Sequence, residues 1–310
     1  MFELTVLGTN ILLPSLVVLL GAAVAIAVTR PRAGAATSTA TSSPATYSTA
    51  QPWLLLRSLL VGTAVTLALW AAVGLRNQFS LWPDDAWLRM PHAVALIALA
   101  AGVTVGMQHM WLGWLIRSLA VGLAAWMVFP TGESWDFLLP QRPQWLLCLG
   151  LSTLVAWGLV EMRPPRSAAV LGLSWIVVWV AAAYLTGQSF LSVTEHLMAI
   201  SAVVGCLSLL TLWCNWEGVL VPAVGGCLFA SSASIASAQF NSYLGLPDSL
   251  SWLAMSSPAI AAAMAYPFAA KRGGDLRPGA RWYVTLAICC LVAGGLIAWT
   301  YSAVPAAPEW

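Results

Sequence analysis

Ten apolar stretches fill almost the whole of this 310-residue chain, and its basic residues fall between them mostly on alternate sides. Bounded by charge, proline or glycine clusters, they cover residues 10–29, 53–75, 92–108, 111–129, 144–160, 168–186, 196–214, 218–238, 251–270 and 282–301. A helix needs roughly 20 apolar residues to cross a hydrocarbon core, and only helices or closed barrels satisfy their own backbone in lipid. Runs of this length predict an all-α polytopic membrane protein with about ten transmembrane helices in sequential hairpins. The chain is 60% hydrophobic and 8% charged, whereas soluble domains run at about 45–50% apolar and about 25% charged. A lipid bilayer is the partner this composition requires. The net charge of +2 is small and scattered, which excludes nucleic acid as a partner.

Basic residues favour the cytoplasmic loops of membrane proteins. With the N-terminus outside, Arg30, Arg32, Arg57, Arg117, Arg163, Arg166, Lys271, Arg272, Arg277 and Arg281 all lie at the inner face, leaving Arg76, Arg89 and Arg142 outside. That is ten against three, so both termini are expected outside, in a cytoplasmic (inner) membrane of bacterial type. Met1 to Asn10 contains Glu3 and no lysine or arginine, which suits an uncleaved anchor whose N-terminus is exported. Three parts follow: an anchor helix over 1–29, a flexible Thr/Ser/Ala linker over 30–52 on the cytoplasmic side, and a nine-helix membrane domain over 53–310.

Residues 92–129 must hold two short crossings joined by Gln108, His109 and Met110. Reading them as one span would move Glu133 and Asp136 inside and Arg163 and Arg166 outside, against the arginine rule. Two crossings are expected, with residues 76 and 136 on the same side. The runs Arg57 to Ala64 and Arg117 to Ala124 resemble one another, as descent from a duplicated hairpin would produce, and as any inner-face helix start would where an arginine reaches to water over small residues.

Three groups of residues are candidate sites. On the outer face, His92, Glu195 and His196 are the side chains best suited to acid/base or metal chemistry. Their spacing contains no metal-binding signature, scattered rim residues would look the same, and no metal or cofactor is expected. Cys148, Cys206, Cys227, Cys289 and Cys290 lie in spans and Cys214 at a span end, with no CxxC pair, so they read as packing residues. The second group is the pairing of tryptophan with acid in outer loops, in Trp82, Asp84, Asp85 and Trp87 and again in Trp135 and Asp136. Such a surface can bind a sugar, a cationic headgroup or a periplasmic or membrane protein, and capped interfacial half-helices have the same composition. Most of the other tryptophans sit at span ends and read as interfacial belt residues.

The third group lies in the eighth and ninth spans, which carry Gly225, Gly226, Ser231, Ser234, Ser256, Ser257 and Pro258. Proline removes a backbone bond and serines can satisfy the freed carbonyl, so these residues are candidates for a pathway lining. Close packing through small residues explains the same pattern. No Asp, Glu, Lys or His falls at the middle of a span, and Arg117, about six residues into the fourth, is the deepest charge.

Three functions compete on these readings. The first is a transmembrane pathway for a small neutral or amphipathic molecule, which a bulky residue at Ser256 or Gly226 would block. The second is a non-catalytic scaffold docking a partner through its outer acid/aromatic loops. The third is an outward-facing enzyme on a lipid-linked substrate, which His196→Ala would inactivate. The sequence carries no signal for an oligomeric state.

Overall fold

The computed structural model describes residues 8–29, 51–74, 82–105, 107, 109–189, 191–214, 219–242, 246–270 and 278–304. Most of the 30–52 linker, the 215–217 turn and the 271–277 loop lie outside the described residues. The described residues form ten long helices and no strands. A π-helical turn, Gly8–Leu12, leads into α1 (Leu13–Thr29), followed by α2 (Gln51–Gly74), α3 (Met90–Thr104), α4 (Met110–Val128) and α5 (Arg142–Glu161). Then come α6 (Pro165–Ser189), α7 (Leu191–Trp213), α8 (Leu220–Phe240), α9 (Asp248–Ala270) and α10 (Pro278–Ala303). Two 3₁₀ segments, Ala86–Arg89 and Glu133–Gln141, precede α3 and α5.

Among the described residues nine of these helices are long and apolar enough to span a membrane. The exception is α9, which is 23 residues long, or about 35 Å at the helical rise. Its length suffices, but Ser251, Ser256, Ser257 and the two internal prolines dilute its apolarity. The stretch 92–129 does form two helices. The first begins at Met90, ahead of the apolar pattern, with Pro91 in its opening turn, where the missing N–H costs no bond. Trp87 and Trp135, on either side of the α3–α4 pair, wall the same small pocket, so two crossings return the chain to the end it left.

The packing is organised around α8. Of its 21 residues 18 are buried, and α2, α3, α4, α5, α9, α6 and α7 all touch it in a closed ring. A helix can sit at such a hub only if its neighbours approach on every side, which Gly225, Gly226 and the alternating Ala and Ser of Ala230 to Ala238 permit. The outermost helices are α1, set against α2 and α7, and α10, set against α6 and α9. A stripe on α1, Leu12, Leu16, Leu20, Val24 and Val28, faces outward, as lipid contact requires. On its other face Gly21 packs on Ala64 so closely that no Cβ would fit, and Arg57 Nε donates to Thr29 Oγ1 at 3.0 Å.

Large rings fill the spaces between small-residue contacts. Trp145, Trp157, Trp175 and Trp179 are fully enclosed. Trp145 therefore leaves the interfacial belt its span-end position suggests: it packs edge-on against Phe240 at 4.9 Å and Trp252 at 5.7 Å. Trp53, Trp82, Trp111, Trp213, Trp282 and Trp299 are exposed near helix ends, as belt residues are. The proline of α9 is handled locally: Ser257 Oγ donates to the Ala254 carbonyl at 2.6 Å, the group Pro258 deprives of its usual amide partner. Pro258's own carbonyl accepts Trp175 Nε1 at 3.1 Å, so the helix stays continuous. At the α5–α6 turn, buried Arg163 donates from Nη2 to the Ala262 carbonyl at 2.6 Å. Burial pulls its guanidinium below the ordinary arginine value, and Cys289 and Tyr266 act the other way.

Candidate functional site

Two polar cavities lie toward opposite ends of α4, the inner one lined from α3, α4 and α5 and the outer one from α4, α8 and the segments 84–89 and 130–135. The packed seam of α4 with α5 and α8 that separates them is called the crevice. The end bearing Arg57, Arg117, Arg163 and Arg166 is called inner, by the arginine rule. Along α4, Arg117, Val121, Ala124, Ala125 and Val128 are buried while Leu115, Leu119, Leu123 and Trp126 are exposed. The buried stripe runs from the inner cavity to the outer one over about 16 Å, eleven residues at the helical rise.

The outer cavity, about 110 Å³, is lined by Asp84, Asp85, Trp87, Arg89, Thr131 and Trp135 together with Val128, Ser237, Phe240 and Asn241. Its loop is fixed by Arg89, whose Nε and Nη2 donate to the carbonyls of Pro83 and Asp84 at 2.8 and 2.9 Å. The guanidinium also stacks over Trp82, 5.2 Å from the ring centre. Of the acid/aromatic residues singled out above, Asp84, Asp85, Trp87 and Trp135 converge on this cavity. Trp82 turns instead to Arg89 and His92, and Asp136 is exposed outside the lining.

The two outer histidines are both covered by that loop. His92 meets the edge of Trp82 at 5.7 Å, and His196 lies under Trp87 at 5.6 Å. His196 and its neighbour Glu195 are buried, and neither histidine lines the outer cavity. Among the described residues the enclosed Nδ1 atoms of both have no hydrogen-bond partner. Among the described residues no three His, Cys, Asp or Glu side chains are grouped so as to hold a metal.

The seven glycine, serine and proline candidates of α8 and α9 face different neighbours. Gly225 lies against Trp157 of α5, where a Cβ would come within 2.7 Å of the indole. Gly226 faces Val94 of α3, and Ser234 Oγ lies 3.7 Å from Met90 Sδ, also on α3. Ser231 and Ser257 turn back to carbonyls of their own helices. Ser256 lies 3.8 Å from Cys148 Sγ on α5, and Pro258 accepts from α6. As a set these residues are the contact surface of α8 and α9 rather than one wall.

The inner cavity, about 400 Å³, is lined by Thr104, Met107, Met110, Gly113, Trp114, Arg117, Gly158, Glu161 and Met162. Arg117 is its polar centre. Nε donates to Thr104 Oγ1 at 2.8 Å and Nη1 to Glu161 Oε2 at 2.5 Å. The guanidinium stacks on two indoles, 5.1 Å from the centre of Trp114 and 4.8 Å from that of Trp157. The Thr104 hydroxyl in turn donates to the Ala100 carbonyl at 2.8 Å. Three helices thus supply one site: Thr104 from α3, Trp114 and Arg117 from α4, Trp157 and Glu161 from α5.

Sequence reading located Arg117 as the deepest charge and gave it no partner. The missing signal was available, since a charge within a span implies a partner or a polar cavity. Glu161, one helix further on, is one of the inner-face acids that directly flank a span.

Between the cavities the crevice is closed. A void of about 10 Å³ lies among Ala125, Val128, Phe129, Trp145, Leu149, Ala233, Ser237 and Phe240, and three of these residues also line the outer cavity. Ser152 Oγ lies 3.4 Å from Ser232 Oγ on the α5–α8 contact. At the inner end Trp157 closes the crevice from its seat between Arg117 and Gly225.

Fold and site together define a polytopic helical membrane protein with opposed polar cavities. Comparison with protein-family models, characterised proteins and solved structures finds no match to this chain.

Proposed function

We propose that the protein conducts a small neutral or amphipathic solute across a bacterial cytoplasmic membrane, along the α4–α5–α8 crevice. The observation that carries this reading is the buried α4 stripe joining two polar cavities, with alanines and one valine where the crevice is shut. Small side chains at a closure leave room for a solute once the helices part, and α4 is the ring helix held least by the α8 hub. A charge pair inside a span costs several kcal/mol in desolvation unless it has a use or excellent partners. Here the pair stands at the mouth of a cavity.

The test is flux in liposomes carrying the purified protein, read by light scattering after osmotic challenge with a panel of small polyols, amides and zwitterions. Wild-type protein is expected to pass some members of the panel faster than protein-free liposomes do. Ala124→Trp, which plugs the stripe midway, is expected to bring the rate back to that of empty liposomes. Equal rates for all solutes in all three samples would overturn the reading.

A further inference from the structure

Taking its biological setting from the transport reading, we propose that the inner cavity binds a zwitterion, a group carrying an anionic oxygen beside a protonated primary amine. The inference comes from which hydrogen-bonding edges the site has left open. Guanidinium has five N–H donors in a rigid fork. Arg117 uses Nε on Thr104 and Nη1 on Glu161, and among the described residues no group takes its Nη2. Glu161 receives Arg117 on Oε2, and among the described residues no group donates to Oε1. Both side chains line the cavity, so its wall offers one cationic donor edge next to one anionic acceptor edge. Thr104 has no donor left for a ligand, because its one hydroxyl proton goes to the Ala100 carbonyl.

The charges decide the class of ligand. Arg117 and Glu161 together are neutral, so a bare anion drawn to Arg117 meets the Glu161 carboxylate and a bare cation meets the guanidinium. A ligand with both signs satisfies both edges and lays its dipole against that of the pair. The indoles of Trp114 and Trp157, 6.4 Å apart and edge-on to one another, both lie against the guanidinium, so together with its bonds to Thr104 and Glu161 they hold the donor edge before the ligand arrives. A volume near 400 Å³ lies within the range of small-ligand sites. Met107, Met110 and Met162 supply a wall that adapts to shape.

Two sources share this chemistry: the phosphoethanolamine headgroup of an inner-leaflet lipid, and a free zwitterionic solute. The experiment separates them. Purified protein is melted with added glycerophosphoethanolamine, with glycerophosphoglycerol as an anion of similar size, and with glycerol as a neutral control. In parallel, protein released from bilayers of equal phosphatidylethanolamine and phosphatidylglycerol is weighed by native mass spectrometry.

A higher melting temperature with glycerophosphoethanolamine alone supports a free ligand, and selective retention of phosphatidylethanolamine supports a lipid. Glu161→Gln keeps an oxygen for Arg117 but removes the anionic edge, and is expected to weaken either response roughly tenfold. Gly113→Leu fills the cavity from a position where a Cβ meets only Thr104 at an ordinary 3.6 Å. It should abolish binding with the ion pair and fold intact. Equal stabilisation by the anionic analogue, an undiminished response in Gly113→Leu, or no response to any probe would overturn the proposal. Binding without flux in liposomes would leave this inference standing and sink the transport reading. Flux without such binding would do the reverse.

Discussion

The two ends of the α4 crevice hold similar residue types and use them differently. At the outer end, Arg89 donates to two backbone carbonyls of its own loop while Asp84 and Asp85 are exposed. At the inner end, Arg117 joins three helices through Thr104 and Glu161 and lies against two indoles. Water competes for the outer charges, so their interactions are individually weak and largely local. Inside the bundle water is scarce, and a charge must find its partners in the protein. The comparison teaches that a polar site in this fold is specified by how many helices contribute to it rather than by how many charged residues it contains.

That contrast can be broken by substitution. The largest effect is expected for Arg117→Ala, which strands the partly exposed Glu161 and leaves a gap beside two tryptophans. Losing one partner of a buried pair costs about 3–5 kcal/mol; with Glu161 24% exposed the expected loss is about 2–3 kcal/mol, read as a fall in melting temperature and in yield of monodisperse protein. Gly225→Val comes next, because the new side chain drives into the Trp157 ring. Overpacking of this kind costs about 1–3 kcal/mol, and the same variant should lower flux by moving the residue that closes the inner end. Ser257→Ala leaves the Ala254 carbonyl without its donor beside Pro258, for about 1 kcal/mol in thermal unfolding. Smallest is Asp84→Asn on the outer loop, expected within about 0.5 kcal/mol of wild type. An outer-loop variant as damaging as Arg117→Ala would erase the distinction between the two ends.

Much of the fold was legible because lipid imposes one rule on every span. Apolar length and arginine placement located ten helices and the α3–α4 pair, even though Gln108, His109 and Met110 are all that was left for a connection. Gly225, Gly226 and the serines of α8 set it apart, with α9, as least suited to face lipid, but nothing in the pattern distinguished α8 as the helix the others surround. What the pattern could not say is which neighbour each small residue meets. Gly225 faces Trp157 on α5 and Gly226 faces Val94 on α3, a difference of one residue that sends two glycines to two helices.

The same limit hid the inner site. Arg117 and Glu161 are 44 residues apart, and their contact depends on how α4 and α5 turn about their axes. Trp145 shows the complementary error: its place near a span end suggests the interface, but Phe240 and Trp252 from α8 and α9 enclose it. Residue type and depth are properties of one helix, whereas partnership is a property of two.

The most direct measurement of the crevice is thiol accessibility from each side of the membrane, in a background whose six cysteines are replaced. Single cysteines would stand at 121, 124 and 128 along the α4 stripe and at 256 on α9. Impermeant reagent is expected to label 121 from the inner side and 128 from the outer side, with 124 labelled slowly from either. Position 256 should stay unreactive. Labelling of 256 from both sides with 121, 124 and 128 inert would contradict the account and return the route to the α8–α9 contact.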